Sequence, residues 1–370
     1  MDPIIAATHA DPYPYYAQLR AQGGLVFHQG LKLWVASSAK AVAAVLAHPD
    51  CHVRPTHEPV PKAIASGMAG KVFSQLMRMN EGERQRCPRS AIQPGLALID
   101  GEEVNALVGA RLLSPDAEGL HKAMFLGPVC VVAALLGFSP AQARVISELT
   151  GDFVACLSPL SAQAHLDAAH AAAEQLRGYF IELLDDPDNQ SALLAGIRQR
   201  FSATSDDSEA LTANLIGLFS QTYEATAGLI GSALLALIRH PQWLNDSINI
   251  DALLAEVQRF DPPVQNTRRF VAASCEIEGM NFNAGDVILV MLASANRDPQ
   301  FNEQPDAFML ERPQRRSFTF GAGRHQCPGQ VLAMCIASAT LAQILALKPA
   351  LERLTWRYRP SLNGRIPLFS

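Results

Sequence analysis

The stretch SFTFGAGRHQCPGQVLAM, residues 317–334, joins a glycine-rich loop and a cysteine to an apolar segment with helical character. Cys327 is followed by a Pro-Gly pair, and proline is well tolerated at the first position of a helix. A cysteine just before a helix feels unpaired N–H groups and the positive end of the helix dipole, which lower its pKa. Gly321 and Gly323 let the backbone turn tightly and approach a flat cofactor. The stretch therefore predicts a thiolate at Cys327.

The residues around Cys327 form the pattern F-G-x-G-x-H-x-C-x-G, which resembles the haem-ligand loop of cytochromes P450. The matching residues are Phe320, Gly321, Gly323, His325, Cys327 and Gly329. The resemblance implies that Cys327 is the axial ligand of the iron of haem b and that His325 donates to a haem propionate, while Phe320 packs beneath the ring. A lone cysteine is usually a buried core residue, but six matching positions favour the ligand. Zinc is disfavoured, because His325 and Cys335 give no tetrahedral set with Cys327.

The composition is that of a folded chain with room for a buried cofactor. The 370 residues are 49% hydrophobic and 18% charged, and no linker-like stretch interrupts them, so we expect a single domain over residues 1–370. The net charge of -5 gives no indication of nucleic-acid binding or of a basic membrane surface. The N-terminus resembles neither a signal peptide nor a membrane span, and the seven scattered cysteines indicate no disulfide framework. We therefore expect a soluble cytoplasmic protein.

Alanine- and leucine-rich segments with apolar residues at helical spacing predict a mainly α fold. The predicted helices are 122–137, 140–157, 164–184, 208–240, 250–260 and 329–347. Small β elements are predicted for 24–36, 267–279, 286–292 and the tail after Tyr358. The N-terminal stretch 11–50 resembles the opening helix, strand pair and helix of bacterial cytochromes P450. The resemblance implies a P450 fold with haem between the long central helix and the cysteine loop, and it is weakest between about 90 and 205.

The central helix, 208–240, is apolar on nearly every side except in its middle. The polar residues there are Gln221, Thr222, Tyr223, Glu224 and Thr226. P450 monooxygenases usually carry (Ala/Gly)-Gly-x-(Asp/Glu)-Thr at this point, with an acid–alcohol pair that directs protons to oxygen. Here Glu224 keeps the acid, but Ala225 replaces the alcohol. Thr226 follows one residue later, about 100° further round the helix, and cannot simply substitute.

Three interpretations of Ala225 stay open. A substrate hydroxyl or an ordered water replaces the threonine, hydrogen peroxide serves as the oxidant, or the reaction is coupling, desaturation or dehydration rather than oxygen insertion. Gln221 and Thr222 are bulkier than the usual Ala-Gly, so they either narrow the oxygen groove, hydrogen-bond a ligand, or reflect helix packing alone. Tyr223 is expected to be a packing residue.

Glu256 and Arg259 lie three residues apart on a predicted helix, where their side chains share one face. Such a pair is usually a weak surface contact. The following Pro-Pro-Val-Gln and the later segment 295–312 resemble the P450 family, which implies a structural network of Glu256, Arg259 and Arg312. The same resemblance makes Arg269 a haem-propionate ligand, with Arg268 as the alternative.

The segment MNEGERQRCPRSAI, residues 79–92, resembles the family pattern M-D-P-P-E-H-x-x-x-R, whose histidine and arginine bind haem propionates. Arg84 stands at the histidine position and Pro88 at the arginine position. Because an arginine still pairs with a carboxylate, Arg84 is the predicted propionate ligand, with Arg86 or Arg89 as substitutes. Pro88 predicts a distorted helix.

The resemblance implies an enzyme that oxidises a small or medium-sized organic molecule, in specialised metabolism by analogy with soluble bacterial relatives. No flavin or iron–sulfur segment is found, which favours electrons from a separate ferredoxin or similar donor. Arg315, Arg316 and Arg324 are candidates for its docking face, or else ordinary solvated charges. The alternative from another class is a non-catalytic module with a P450 fold, against which the retention of Cys327 and His325 argues. Nothing resembles the output domain of a haem-based sensor.

Overall fold

The computed structural model describes residues 1–110, 114–202, 207–245 and 248–370. In these ranges the α-helices are α1 Tyr13–Ala21, α2 Ala39–Ala47, α3 Met68–Gln75, α4 Glu83–Leu96, α5 Gly101–Gly109, α6 Ala117–Leu135, α7 Pro140–Ala155, α8 Gln163–Asp185, α9 Ala192–Ser202, α10 Ser208–Arg239, α11 Ile250–Phe260, α12 Leu292–Asn296 and α13 Gln330–Ala346. The strands are β1 Leu25–His28, β2 Leu33–Ala36, β3 Cys51–His52, β4 Thr267–Val271, β5 Cys275–Ile277, β6 Met280–Phe282, β7 Val287–Val290, β8 Trp356–Tyr358 and β9 Pro367–Phe369. The mainly α fold with small sheets is confirmed.

The described chain divides into two compact units. The first comprises Met1–His57, Gly228–Cys327 and Leu351–Ser370, and the second comprises Glu58–Ala227 and Pro328–Ala350. The single domain expected from the sequence stays a prediction.

The first unit contains the sheets. Its five-stranded sheet has the order β1-β2-β7-β4-β3. The strands β2 and β7 are parallel, with Trp34 beside Ile288, whereas β4 runs antiparallel to β7, with Arg269 beside Ile288. Because successive side chains on a strand point to opposite faces, Arg269 is buried while its neighbour Arg268 is exposed. The sheet therefore selects Arg269 as the inward-facing member of the arginine pair.

The second unit is a helical assembly. In it α6 packs against α7 and α13, α7 packs against α8, and α4 packs against α9. Phe180 lies at the centre of its apolar core, with ring centroids 5.4 Å from Phe138 and 5.1 Å from Phe219. Among the described residues, one helix, Ala117–Leu135, is long and apolar enough to cross a membrane, but 61% of that apolar stretch is buried inside the protein. A core helix of a folded domain has the same composition.

Several helices begin at side chains that cap them. Ser38 accepts from the Ala41 N–H at 3.2 Å, Asp116 from the Gly119 N–H at 2.7 Å, and Asn249 from the Ala252 N–H at 2.9 Å. Helix α7 begins with a capping box formed by Ser139 and Gln142. These caps satisfy backbone donors that have no partner within the helix, so the local sequence fixes where the helices start.

Six predicted helices are confirmed, as are the predicted β elements and the helix, strand pair and helix at the N-terminus. The predicted helix start after Cys327 was wrong in detail. Helix α13 begins at Gln330 with Gly329 as its N-cap, so Pro328 precedes the helix instead of opening it. In the segment between about 90 and 205, where the resemblance is weakest, the structure adds α5 and α9 to the predicted helices. The helix predicted around Pro88 is α4. Helix α4 continues through Pro88 and Pro94.

Candidate functional site

The loop that carries Cys327 belongs to the first unit and is closed by backbone hydrogen bonds. The Cys327 N–H donates to the Phe320 carbonyl at 2.8 Å, and the Gly321 N–H donates to the Phe318 carbonyl at 2.7 Å. Gly321 and Gly323 have φ values of 71° and 67°, a conformation that favours glycine. A Cβ on Gly323 would also lie 3.0 Å from the Leu46 carbonyl oxygen. Both predicted glycines are thus required by this loop.

Cys327 and two of its neighbours in sequence keep accessible surface. Cys327, Phe320 and His325 are all half-buried. His325 ends a short 3-10 turn that starts at Gly323. Partial accessibility is what a ligand side chain needs, since a fully buried thiol is inert.

Arg269, the predicted propionate ligand, lies on β4 of the first unit and is 6% exposed. One of its Nη atoms donates to the Arg268 carbonyl at 2.9 Å. The guanidinium is thus fixed by its own strand.

The middle of α10 differs from the rest of that helix. Residues 211–220 and 226–237 are buried, whereas the five residues 221–225 keep accessible surface. Five consecutive residues cover more than one turn of a helix, so this accessibility is not the one-sided stripe of an ordinary surface helix. Glu224 and Ala225 belong to the accessible turn, but Thr226 is only 3% exposed. The hydroxyl of Thr226 therefore does not take the place of the missing alcohol at position 225.

The two polar residues that precede Glu224 turn their donors back onto the helix. The Gln221 Nε2 donates to the Gly217 carbonyl at 2.9 Å, and the Thr222 Oγ1 donates to the Leu218 carbonyl at 2.8 Å. Such bonds to the preceding turn are common for short polar side chains in helices. The Thr222 hydroxyl proton is therefore engaged within the helix, and only its oxygen lone pairs are left for a ligand.

Tyr223, predicted to be a packing residue, lies against the helices of the second unit. Its ring centroid is 5.3 Å from that of Phe125. A Cβ on Gly151 would lie 2.7 Å from the Tyr223 hydroxyl oxygen, so α7 needs a glycine where the tyrosine approaches it.

Helix α4 presents the predicted propionate ligand Arg84 on its exposed side. Arg86 is exposed too and forms an ion pair with the exposed Glu83. Arg89 is half-buried, which makes it the most enclosed of the three candidates. Because a propionate ligand has to reach a buried cofactor, the structure favours Arg89 over Arg84 and Arg86.

Sequence reasoning missed Arg78, which follows α3 in a 3-10 turn, Met77–Met79. Its Nε is buried and has no hydrogen-bond partner in the described structure. Desolvation lowers the pKa of the Arg78 guanidinium, and the charge of Glu224 offsets this only in part. The available signal was an arginine set among apolar residues in the sequence LMRM.

The Glu256 network lies wholly within the first unit. The Glu256 carboxylate accepts from Arg259 at 2.6 and 3.1 Å and from Arg312 at 3.2 Å. Arg315 adds a further hydrogen bond at 3.0 Å, which the sequence did not indicate. Burial by itself raises the pKa of Glu256, but the hydrogen bonds and charge of Arg259 outweigh it and hold the pKa below its usual value. The carboxylate is therefore ionised at neutral pH.

The three arginines considered for a docking face have different surroundings. Arg315 belongs to the Glu256 network, and Arg324 donates to the carbonyls of His48, Pro49 and Cys51 at 2.9 to 3.1 Å. Arg316 is exposed and lies over the Phe301 ring, 5.7 Å from its centroid. Of the three, Arg316 alone combines an exposed side chain with no described ion pair.

The donor set fits a haem better than a bare metal ion. No cluster of three or more His, Cys, Asp or Glu residues that could hold a metal exists among the described residues. A single accessible cysteine in a glycine loop matches an iron whose other ligands come from a macrocycle. Arg269 of the first unit is a buried cation of the kind that pairs with a carboxylate such as a propionate.

Comparisons with known proteins agree with this donor set. A family model described as Cytochrome P450 matches residues 249–347, which include the Glu256 network and the Cys327 loop. The cytochrome P450 monooxygenase PikC of Streptomyces venezuelae is 28% identical, over 96% of this chain and 89% of PikC.

Solved structures share the fold. The crystal structure of CalO2 matches with a TM-score of 0.85 at 22% identity, covering 100% of this chain and 97% of CalO2. P450BioI, in complex with hexadec-9Z-enoic acid ligated acyl carrier protein, matches with a TM-score of 0.81 at 22% identity, covering 97% of each chain. This chain is therefore similar to cytochromes P450 over nearly its whole length, in sequence to PikC and in fold to both solved structures.

Proposed function

We propose that this chain is a cytochrome P450 enzyme that binds haem b through the Cys327 thiolate and oxidises a small or medium-sized organic molecule in bacterial specialised metabolism. The observation that carries the proposal is the Cys327 loop, closed by the hydrogen bond from Cys327 to Phe320 and by two left-handed glycines. Haem with a thiolate ligand supplies oxygen-activation chemistry. His325, Arg269 and an arginine of α4, Arg84 or Arg89, hold its propionates.

Proton delivery in this enzyme uses Glu224 without a neighbouring alcohol. Ala225 has no hydroxyl, Thr226 is buried, and the Thr222 proton is bonded to the helix backbone. A carboxylate in the accessible turn exchanges protons with water or with a substrate group that lies beside it. We therefore assign Glu224 the role of proton relay, with water or a substrate hydroxyl in the place of the usual threonine.

Electrons come from a separate ferredoxin or similar donor, and the protein acts in the cytoplasm as a single domain. Exposed Arg316 is suited to meet an acidic surface of such a donor. The match over 96% of this chain to PikC of Streptomyces venezuelae, which is named a monooxygenase, supports oxygen insertion as the reaction. The P450BioI complex, which contains an acyl carrier protein, is the reason to test a carrier-bound substrate beside a free one.

One observation favours a second candidate function. Gln221 and Thr222 each direct a donor to their own helix, Tyr223 packs on Phe125 and Ala225 has no polar side chain, so the accessible turn of α10 provides Glu224 as its carboxylate. Such a turn suits chemistry that needs less proton delivery, namely coupling, desaturation, dehydration or peroxide-driven oxidation. Product analysis with either a reductase system or hydrogen peroxide separates these reactions from oxygen insertion.

The test of the proposal is the carbon monoxide difference spectrum of the reduced, purified protein. Wild type is expected to show the long-wavelength Soret band of a haem-thiolate, and Cys327→Ala to lose it. Cys275→Ala, which changes another half-buried cysteine, is the matched control and should keep the band. A wild-type protein that does not retain haem after reconstitution would instead support the non-catalytic module.

A further inference from the structure

Arg78 differs from four buried arginines of this protein in the acceptors around it. The well-bonded arginines are Arg259, Arg297, Arg312 and Arg365. Arg365, for example, donates to the Asp261 carboxylate at 2.7 Å and to the carbonyls of Ala7 and Ala10 at 3.2 and 3.0 Å. In the part of the chain that the structure describes, no hydrogen bond or ion pair satisfies the Arg78 guanidinium, and its Nε is buried.

A cation that is buried at this position is stabilised when an anion binds to it. An arginine presents five N–H donors and stays protonated at any physiological pH, so it cannot escape the cost of burial by losing its charge. Burying a charge without a partner is strongly unfavourable. Part of the side chain keeps accessible surface, so a ligand has access to the guanidinium even though Nε is enclosed.

The turn that carries Arg78 is held rigidly. The Met77 N–H donates to the Oδ1 of buried Asn214 on α10 at 2.7 Å, and the Asn214 Nδ2 donates to the Gln75 carbonyl at 2.9 Å. Asn80 bonds the other side of the turn, with its Nδ2 donating to the carbonyls of Ser74 and Leu76 at 2.9 and 2.8 Å. The arginine is therefore presented from a fixed backbone, as specific binding requires.

The effect of the Glu224 charge on the pKa of Arg78 indicates which part of α10 lies near this arginine. Glu224 follows Asn214 by ten residues, which is about 15 Å along the helix, yet Glu224 is the charge that acts on Arg78. The guanidinium is thus close enough to the accessible turn of α10, residues 221–225, for the charge of Glu224 to act on it. Since no hydrogen bond or ion pair joins Arg78 to Glu224 among the described residues, the guanidinium keeps its donors for another acceptor.

We propose that Arg78 is a carboxylate-binding residue that fixes a carboxylate group beside the accessible turn of α10. Two sources have this chemistry: a carboxylate on the organic substrate and a propionate of the haem. The geometry of a guanidinium fits either, because its planar fork pairs with both oxygens of a carboxylate. The inference builds on the proposed function, since it places a carboxylate in the enzyme that binds haem through Cys327.

The experiment compares Arg78→Met and Arg78→Lys with wild type, in the haem-loaded protein. Arg198→Met, which changes an exposed arginine on α9, is the matched control. The first measurement is haem loss to excess apomyoglobin, for protein loaded with protohaem or with its dimethyl ester. The second is binding of 4-phenylbutyrate and of the neutral 4-phenylbutanamide, measured by equilibrium dialysis.

If Arg78 binds a propionate, Arg78→Met loses protohaem about tenfold faster or more, the size expected for a lost charge-assisted hydrogen bond. This difference disappears with the dimethyl ester. If Arg78 binds a substrate carboxylate, haem loss is unchanged. Wild type then binds the acid more tightly than the amide, and Arg78→Met loses that preference while Arg78→Lys keeps part of it.

The proposal is overturned if Arg78→Met changes neither haem retention nor the preference for the acid. It is also overturned if haem loss rises equally for protohaem and its ester and Glu224→Gln has the same effect, since Arg78 would then act as a structural partner of Glu224. The wild-type carbon monoxide spectrum tests the proposed function independently of Arg78.

Discussion

The Glu256 network and the accessible turn of α10 place ionisable groups inside the protein in opposite ways. Around Glu256, three arginines share one carboxylate, and Arg259 and Arg312 also donate to backbone carbonyls of the segment 303–307. Around residues 221–225, the side chains keep accessible surface, and the nearby Arg78 has a buried Nε without an acceptor. The first arrangement uses its charges to hold the chain together, and the second keeps them for a ligand.

This difference distinguishes charged residues that stabilise the fold from charged residues that are available to bind a ligand. A buried carboxylate whose donors all come from the protein stabilises one conformation, and its loss leaves several uncompensated cations. A buried group whose partner is missing from the protein costs stability until a ligand supplies that partner, as is common at binding sites.

The largest effect is expected for Glu256→Ala. The substitution leaves Arg259, Arg312 and Arg315 without their carboxylate, so the free energy of unfolding should fall by about 3–5 kcal/mol. Denaturant unfolding of the haem-loaded protein measures it. Glu118→Ala removes an exposed ion pair with Lys122 and should cost less than about 1 kcal/mol. Equal losses in the two variants would contradict the structural role of the Glu256 network.

The Glu256 carboxylate is also expected to make the free energy of unfolding depend on pH. The pKa of Glu256 is lower in the folded protein than in the unfolded chain, so the folded state binds fewer protons at this site. Its contribution is fully present above the unfolded pKa of about 4.3 and is lost as the pH falls through the lower folded value. The difference in unfolding free energy between wild type and Glu256→Gln should therefore shrink below about pH 4. If the difference in unfolding free energy grew on acidification, the pKa of Glu256 would have to be higher in the folded protein than in the unfolded chain.

A smaller effect is expected for Ala225→Thr, which restores the usual alcohol beside Glu224. A positioned proton donor contributes about 10²–10⁴-fold to the rate of a proton-transfer step. Because water or substrate already supplies much of this contribution, we expect a several-fold change in the hydrogen peroxide released per electron consumed. This ratio is the measurement, since it reports uncoupling.

The control for this substitution is Thr226→Val, which changes a buried hydroxyl and should leave peroxide release unaltered. If Thr226→Val alters the release and Ala225→Thr does not, the protons travel through Thr226 and the assignment to the accessible turn is wrong.

The smallest effect is expected for Thr222→Val. The Thr222 hydroxyl donates to the Leu218 carbonyl of its own helix, so an isosteric valine should change the free energy of unfolding by less than about 1 kcal/mol. Urea unfolding measures this, with Gln221→Met as the matched variant. A loss of several kcal/mol would show that the hydroxyl has a structural partner besides the helix backbone.

Much of the fold followed from local patterns. Helix α10 was predicted within one residue of its observed end, because its apolar run stops before Pro241. Glu256 and Arg259 were predicted to meet because three residues on a helix bring side chains to one face. In the segment 90–205, the helices α6, α7 and α8 were predicted from their apolar spacing. The shorter α5 and α9 were not predicted, because their sequences carry weaker local signals.

The candidate site likewise contains residues that were predicted from the sequence and residues whose assignment needed the folded structure. Cys327, Gly321 and Gly323 were identified from their order along the chain, because a tight loop before a helix imposes residue types at fixed spacing. The preference among Arg84, Arg86 and Arg89 needed the orientation of α4, and the addition of Arg315 to the Glu256 network needed the folded segment that follows Arg312.

Residue order along the chain is enough to predict the cysteine loop, the central helix and the missing alcohol at Ala225, because each depends on neighbours a few residues away. The burial of Thr226 and the lack of an acceptor at the Arg78 Nε are known from the folded structure alone. These properties depend on burial and on partners such as Asn214, 137 residues away from Met77 in the chain. Desolvation acts on a charge according to everything packed around it, and residue order does not specify that.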